Sequence, residues 1–242
     1  MPTDKTCIIM EVPQHISIIM DGNGRWARQQ GKRRLFGHNA GVEAVRDVTT
    51  YCAEIGVKYL SLFAFSEENW DRPVEEVKGL MELLLKTIIA ERDTLLKNHV
   101  RFQVIGHTSR LSPSLMDAIH KLEQETAAGG DRMDMILMLS YSGKWDILQA
   151  AQRYAADCLA AGRALPLDET GFGGYLATAG IPDPDLLVRT SGEQRISNYM
   201  LWQTAYTEFY YTPVLWPDFR RSDLEQAISD FNKRQRRYGK VE

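Results

Sequence analysis

Within five residues the chain places an aspartate, two glycines and an arginine, Asp21-Gly22-Asn23-Gly24-Arg25, and follows them with Trp26, Arg28, Lys32, Arg33, Arg34 and His38. A carboxylate at the end of a short apolar run can hold a divalent metal on a phosphate. Glycines let the backbone turn back with free N–H groups facing an anion, and guanidinium forks grip phosphate oxygens in pairs. Three more polar clusters each follow an apolar run. They are Ser66-Glu67-Glu68-Asn69-Trp70-Asp71-Arg72, Ser140-Tyr141-Ser142-Gly143-Lys144-Trp145-Asp146, and Arg189-Thr190-Ser191-Gly192-Glu193 with Arg195 and Ser197. The inventory is rich in arginine and poor in nucleophiles. The sequence contains no GxSxG, no Cys–His arrangement and no GxxxxGK[ST] loop, so the chemistry indicated is holding and ionising a phosphorylated substrate rather than forming a covalent intermediate. Each residue also has a plain structural alternative. Asp21 could cap a helix, His38 could be an ordinary helix residue, Trp26 and Trp70 could be packing, and Glu193 could pair with Arg195 in a turn.

The elements that must position these clusters alternate between strand and helix patterns. Short buried strands are predicted over His15–Met20, Lys58–Phe65, Val100–Gly106, Met133–Tyr141, Asp185–Val188 and Tyr206–Tyr211. Helices are predicted over Gly37–Ile55, Pro73–Asn98, Ser112–Ala128, Gly143–Ala161 and Ser222–Arg237, with Ser222 as a cap and Glu225 completing its box, and a broken helical stretch over Leu167–Ala179. This alternation predicts a single α/β domain, a mostly parallel six-stranded sheet flanked by helices. In such a sheet ligands sit at the carboxyl ends of the strands, where the polar clusters fall. The helix from Pro73 is the most apolar. Val77, Leu80, Met81, Leu84, Leu85 and Ile88 make its stripe, and Leu83 and Ile89 widen it. It reads either as a helix packed on the sheet or as the wall of a lipid-sized tunnel.

Composition narrows the class. A chain of 242 residues with 44% hydrophobic residues can bury a large core, and a net charge of −3 argues against a general nucleic-acid binder. Cys7, Cys52 and Cys158 are scattered, which suggests neither disulfides nor a zinc site and fits a reducing cytoplasm. There is no signal-peptide pattern and no apolar run near the ~20 residues that span a bilayer, so any membrane contact is expected to be peripheral. Residues 1–13 read as a flexible leader and 14–242 as the catalytic domain. Five cations between Lys233 and Lys240 read as a solvated helix end or, less readily, as a contact to an anionic membrane.

Several long stretches resemble the cis-prenyltransferases. These are HISIIMDGNGRWA, GHNAG, FAFSEENWDRP, YSGKWDI and DLLVRTSGEQRISNYMLWQTAYTEFYYTPVLWPDF, and the similarity runs from His15 to Tyr238. The resemblance implies Mg²⁺-dependent condensation of isopentenyl diphosphate onto an allylic diphosphate, commonly farnesyl diphosphate. The new double bonds are Z, the product is a long-chain polyprenyl diphosphate of the undecaprenyl type used for cell-wall carrier lipid, and the enzyme is a cytoplasmic homodimer. It implies roles residue by residue. Asp21 is the metal-linked acid that assists ionisation, and Gly22, Asn23, Gly24, Arg25 and Trp26 with Arg34 and His38 receive the allylic diphosphate. Arg189, Arg195 and Ser197 receive isopentenyl diphosphate, and Glu208 is a second metal-associated acid, near the other subunit. Ser66, Glu67, Glu68, Asn69, Trp70, Arg72 and Glu76 belong to a segment that closes over substrate. Asn69 or a diphosphate oxygen takes the proton. Ser140, Ser142, Lys144 and Gln194 depart from the family pattern, which puts a substrate role for Lys144 and a proton relay at Gln194 in doubt. A product of another length, a non-catalytic partner subunit of the same fold, and a phosphatase or nucleotide-binding enzyme of similar topology are the alternatives.

Overall fold

The computed structural model describes residues 11–236. Six strands form one sheet: β1 (His15–Ile19), β2 (Tyr59–Ser66), β3 (Val100–Ile105), β4 (Met133–Tyr141), β5 (Leu186–Arg189) and β6 (Glu208–Tyr211). Their order is β3-β4-β2-β1-β5-β6 and every neighbouring pair is parallel. All five residues of β1 are buried, which is why it reads as a continuous apolar run: its neighbours β2 and β5 cover both edges and helices cover both faces. From β1 the chain first builds the sheet on the β2 side, then returns to lay β5 against the other edge of β1. The crevice between β1 and β5 is therefore the topological switch point, the place where such sheets bind ligands.

The helices are α1 (Asn23–Gln29), α2 (Arg34–Ile55), α3 (Val74–Lys97), α4 (Pro113–Ala127), α5 (Gly143–Ala161), α6 (Glu169–Gly173) and α7 (Arg221–Phe231), and a 3-10 turn spans Glu67–Asp71. One core lies between the sheet and α2, α3, α4 and α7, and includes Ile16, Val48, Leu62, Ile88, Ile119 and Phe231. A smaller one on the other face gathers Ile19, Ile136, Met138, Tyr141, Leu187 and Tyr199.

Four expectations need correction. α2 starts three residues before Gly37, because that glycine is a packing site rather than a boundary; a Cβ there would lie 1.9 Å from the Asn23 carbonyl oxygen of α1. α7 starts at Arg221 with Arg220 as its cap. The Asp223 carboxylate accepts the Arg220 N–H at 2.9 Å, so Ser222 lies inside the helix. Ile89 is 64% exposed and belongs to the outer face of α3. The described part of the leader is held: Glu11 donates its N–H to Asn232 Oδ1 at 2.7 Å and accepts from the same amide at 2.9 Å, while residues 1–10, with Cys7, lie outside the described residues. Among the tail cations, Arg234 pairs with Glu208 and Asp230, and Arg236 pairs with Asp185; Arg237 and Lys240 lie outside the described residues.

Candidate active site

Asp21 follows β1 by two residues and faces the switch-point crevice. Its backbone is fastened to the last third of the chain. Its N–H donates to Thr190 Oγ1 at 2.9 Å, and its carbonyl accepts the Thr190 hydroxyl at 2.7 Å and the Trp216 N–H at 3.0 Å. Its carboxylate accepts Arg189 Nη2 at 3.0 Å and the Gly22 N–H at 2.7 Å, with Arg25 Nη2 at 3.7 Å. Burial on its own would raise the Asp21 pKa. The Arg189 hydrogen bond and charge, with Gly22 and Ser191, outweigh that and hold the carboxyl below the usual carboxylate range. The acid is thus ionised at neutral pH and a third exposed.

Gly22 caps α1 at φ 107°, a left-handed conformation closed to side-chain-bearing residues, and a Cβ would also meet Leu215 at 2.9 Å. The turn delivers the first amides of α1, which the helix itself leaves unused, to the same crevice. Arg34 lies across them, its guanidinium carbon 3.0 Å from where a Gly24 Cβ would be. Arg34 Nε donates to Glu76 Oε1 at 3.1 Å, and Arg72 Nη1 reaches the same oxygen at 3.3 Å. His38 is half-buried beside them. Burial, then the charges of Arg72 and Arg34, lower its pKa to about 4 against the opposing pull of Glu76, so it is neutral at pH 7. Its Nε2 has no hydrogen-bond partner, and neither does the buried Asn23 Oδ1. Orphaned polar atoms in a crevice of this kind are ready to receive a ligand.

Across the crevice Arg189, only 4% exposed, donates to the Ser197 hydroxyl at 2.8 Å and to the Arg195 carbonyl. Its Nε is unpaired. Arg195 is exposed and pairs with Glu193 at 2.5 Å. Arg25 reaches over to Ser191 and stands 3.5 Å from Glu193, so the two arginine-rich clusters meet.

The segment after β2 forms the third wall. The Asn69 amide oxygen accepts the Ser66 N–H at 3.2 Å, closing a capping box. Trp70 Nε1 donates to Ser140 at 2.8 Å, Ser140 donates to Glu67, and the Arg110 guanidinium lies 4.3 Å from the Trp70 ring. Glu68 accepts from Asn198 at 2.6 Å, and Asn198 also donates to the Ser142 hydroxyl and accepts the Lys144 N–H. The two unexpected serines are therefore bracing residues. Lys144 meets this network through its backbone.

Behind the mouth lies a cavity of about 660 Å³. Asp21, Asn23, His38, Ser66, Glu68, Asn69, Arg72, Arg189 and Ser197 line its polar end. Ala64, Leu80, Leu83, Leu84, Ile88, Leu95, Phe102 and Leu137 are among those that line its depth. The α3 stripe thus serves both roles considered for it, core and tunnel wall.

Of the expected site residues, Gly22, Gly24, Arg25, Trp26, Arg34, Glu67, Trp70, Arg195 and Glu208 do not line the cavity itself; Trp26 and Glu208 are turned elsewhere, and the others belong to the clusters at its mouth described above. Trp26 stacks on Phe36 at 5.9 Å and donates to Asp218 at 2.7 Å. Glu208 opens β6 level with Leu186 and Ile16, so Asp21 lies five residues further along the strand direction, about 16 Å at ~3.3 Å per residue. Its carboxylate pairs with Arg234 at 2.8 Å, so within one chain it does not meet Asp21. Sequence reasoning left Thr190, Ser191, Asn198 and Trp216 without roles. Ser191, Ser197 and Asn198 all adopt positive φ, a conformation that their residue types do not announce.

The match to known proteins covers this whole arrangement. A family model described as putative undecaprenyl diphosphate synthase matches residues 19–239. The chain belongs to that family. It is 50% identical to a ditrans,polycis-undecaprenyl-diphosphate synthase, (2E,6E)-farnesyl-diphosphate specific, of Vibrio cholerae, over 94% of this chain and 91% of that protein. It is 48% identical to an isoprenyl transferase of Chlorobaculum tepidum, over 98% of this chain and 88% of that one. A crystal structure of lavandulyl diphosphate synthase from Lavandula x intermedia, in complex with dimethylallyl diphosphate, superposes with a TM-score of 0.90 at 36% identity, covering 94% of this chain and 98% of that one. The protein is accordingly a cis-prenyltransferase with the fold of that family.

Proposed function

We propose that the protein extends farnesyl diphosphate with isopentenyl diphosphate units to a polyprenyl diphosphate of undecaprenyl type, with Mg²⁺, as a homodimer. One observation carries this reading: an ionised acid set among guanidinium groups opens directly onto an apolar cavity. Phosphate chemistry at the mouth and hydrocarbon storage behind it are what prenyl elongation needs. The name of the Vibrio relative supports the primer and the product type.

In this reading the allylic diphosphate lies over Gly22–Arg25, with Arg34 across it and His38 and Asn23 offering their unpaired atoms. Isopentenyl diphosphate lies on Arg189, Arg195 and Ser197. As the allylic C–O bond breaks, negative charge grows on the leaving diphosphate, and Arg25 and Arg34 stabilise it most when it is largest. Among the described residues no three His, Cys, Asp or Glu side chains come together as a protein-only metal cage. The donor set instead fits Mg²⁺, which is commonly held by one or two carboxylates and the substrate phosphates. Asp21, kept ionised by Arg189, would hold it, and when bound the ion supplies charge neutralisation to the leaving group. The apolar walls receive the cation and keep water from it. The isopentenyl double bond attacks the allylic carbon to form the new C–C bond, and loss of a proton from the neighbouring isopentenyl carbon restores a double bond and completes the step. Asn69 spends its amide oxygen on Ser66 and an amide is a poor base, so a diphosphate oxygen takes the proton while Asn69 holds the turn.

Among the described residues no helix is long and apolar enough to cross a membrane; we propose a cytoplasmic enzyme that meets the membrane peripherally to release product. Incubation with farnesyl diphosphate, labelled isopentenyl diphosphate and Mg²⁺ tests the reading by the length of the labelled product. Label confined to a product one isoprene unit longer than the primer would overturn the long-chain reading.

A further inference from the structure

The cavity carries one feature that prenyl elongation as described does not use. Its apolar depth is interrupted by a charged pair, Arg46 of α2 and Glu91 of α3, both of which line it. Arg46 meets Glu91 through two guanidinium nitrogens, with Nε donating to Glu91 Oε2 at 3.0 Å. Its third nitrogen donates to Glu43 at 2.7 Å on the solvent side. Arg46 is 43% exposed and Glu91 13%, so the pair touches the cavity on one side and solvent on the other. Thr49, Thr87 and Thr94 line the cavity around it, and Ile89, two residues from Glu91, is exposed outside.

The seam between α2 and α3 is bridged twice by ion pairs. At the diphosphate end Arg34 meets Glu76, which also holds Arg72. At the deep end Arg46 meets Glu91. Packed side chains resist separation, because parting them exposes apolar surface. In this ion pair Arg46, 43% exposed, can swing into solvent without baring apolar surface, and the water that follows can reach the Glu91 carboxylate. A cavity of this size suits a drug-sized molecule, whereas an undecaprenyl chain has fifty-five carbons. A chain that outgrows the cavity must part a wall, and this pair is a join in its deep lining that is held by charge and not by apolar packing.

We propose that Arg46–Glu91 is the latch on an α2–α3 seam through which the growing chain leaves the cavity, so that the two residues help set product length. The inference rests on the elongation activity proposed above. A latched seam confines the chain until contact with its walls stops further condensation. An open seam lets the hydrocarbon tail pass outward over the exposed face that carries Ile89 and continue to grow.

The test is product length in Glu91→Gln, in Arg46→Glu, and in the double variant Arg46→Glu/Glu91→Arg, with thermal unfolding measured alongside. Glu91→Gln, close to isosteric, is expected to shift the main product longer by at least one isoprene unit. Arg46→Glu, which sets two carboxylates against each other, is expected to shift it further, and the swapped pair to return it toward the wild-type length. The first condensation rate is expected to stay within about twofold of wild type, since neither residue meets a diphosphate. Wild-type or shorter product lengths from a folded Glu91→Gln protein would overturn the latch, even if Arg46→Glu failed to fold. A lowered melting temperature with unchanged lengths would mark the pair as a helix bridge alone and overturn it too. A wild-type protein that elongates no allylic diphosphate would refute the proposed function and the latch together.

Discussion

At the mouth of the cavity Asp21, Arg25, Arg34, Arg72 and Arg189 each hold a charged partner already, and all but Arg72 are fixed by hydrogen bonds between segments far apart in the chain. In its depth the walls are Leu80, Leu83, Leu84, Ile88 and Leu95 on one helix, held by shape and burial. The two regions answer different demands. Charge stabilisation gains from groups that do not have to reorganise when charge appears. Room for a lengthening hydrocarbon gains from side chains that can shift past one another. Rate and affinity are therefore expected to be set at the mouth and product length in the depth.

The largest effect should come from removing the acid. Asp21→Ala is expected to lower condensation by at least about 10³-fold, measured as incorporation of labelled isopentenyl diphosphate, with the fold retained by circular dichroism; near-normal turnover would sink the metal–diphosphate assignment. Arg195→Ala comes next. Its side chain is mostly exposed and pairs with Glu193, so stability should hardly change while KM for isopentenyl diphosphate rises about tenfold, the worth of roughly 1.4 kcal/mol. An effect confined to the allylic substrate would reverse the assignment of the two halves.

In the depth, Ala64→Leu is expected to shorten the product with little change in the first condensation rate. Equal shortening of rate and length would erase the distinction between the two regions, and unchanged length would remove Ala64 from the wall.

The last effect concerns stability and not turnover. His15, fully buried, and His38, half-buried, both have pKa values lowered to about 4, against about 6.5 unfolded. The unfolded chain then binds more protons than the folded one between these values. Stability should rise with pH from about 4 to about 6.5 and fall on acidification through that window, by about 3 kcal/mol in all for a single such histidine. His38→Asn should flatten the dependence of the melting temperature on pH in this window; an identical slope would show that His38 is not buried in its neutral form. The lowered Asp21 pKa acts in a different window. Its contribution is present above its unfolded pKa and is lost only as pH falls below about 4.

Much of this could be read from the chain itself. Ile-rich runs ending in polar clusters marked the strands, and a parallel sheet necessarily collects their carboxyl ends on one side, so Asp21, Ser66, Ser140 and Arg189 were legible as neighbours. Glu208 was not legible in this way. It begins its strand instead of ending it, and only the register of β6 against β5 shows that it faces the far end of the sheet. Trp26 lies in the right segment but on the outer side of a short helix, where Phe36 covers it. Asn198 bridges Glu68 and Ser142 from a loop with φ 59°, a turn with no glycine to announce it. Ser222 looked like a cap because cap residues are common on surfaces, while the cap itself was supplied by Asp223 reaching back to Arg220.

The fastening of Asp21 to Thr190, Arg189 and Trp216 also has a consequence in time. The acid leaves the ribosome well before its partners, which follow some 170 to 195 residues later. At about 5–20 residues per second that interval is roughly 10–40 s. Throughout it the nascent chain can lay β1 beside β2, with Arg25 near the carboxylate, but lacks the Arg189 guanidinium and the second half of the crevice. Contacts of such long sequence separation are also slow to form. Competence to ionise an allylic diphosphate is thus a late event in the life of each molecule, reached when its final third has docked.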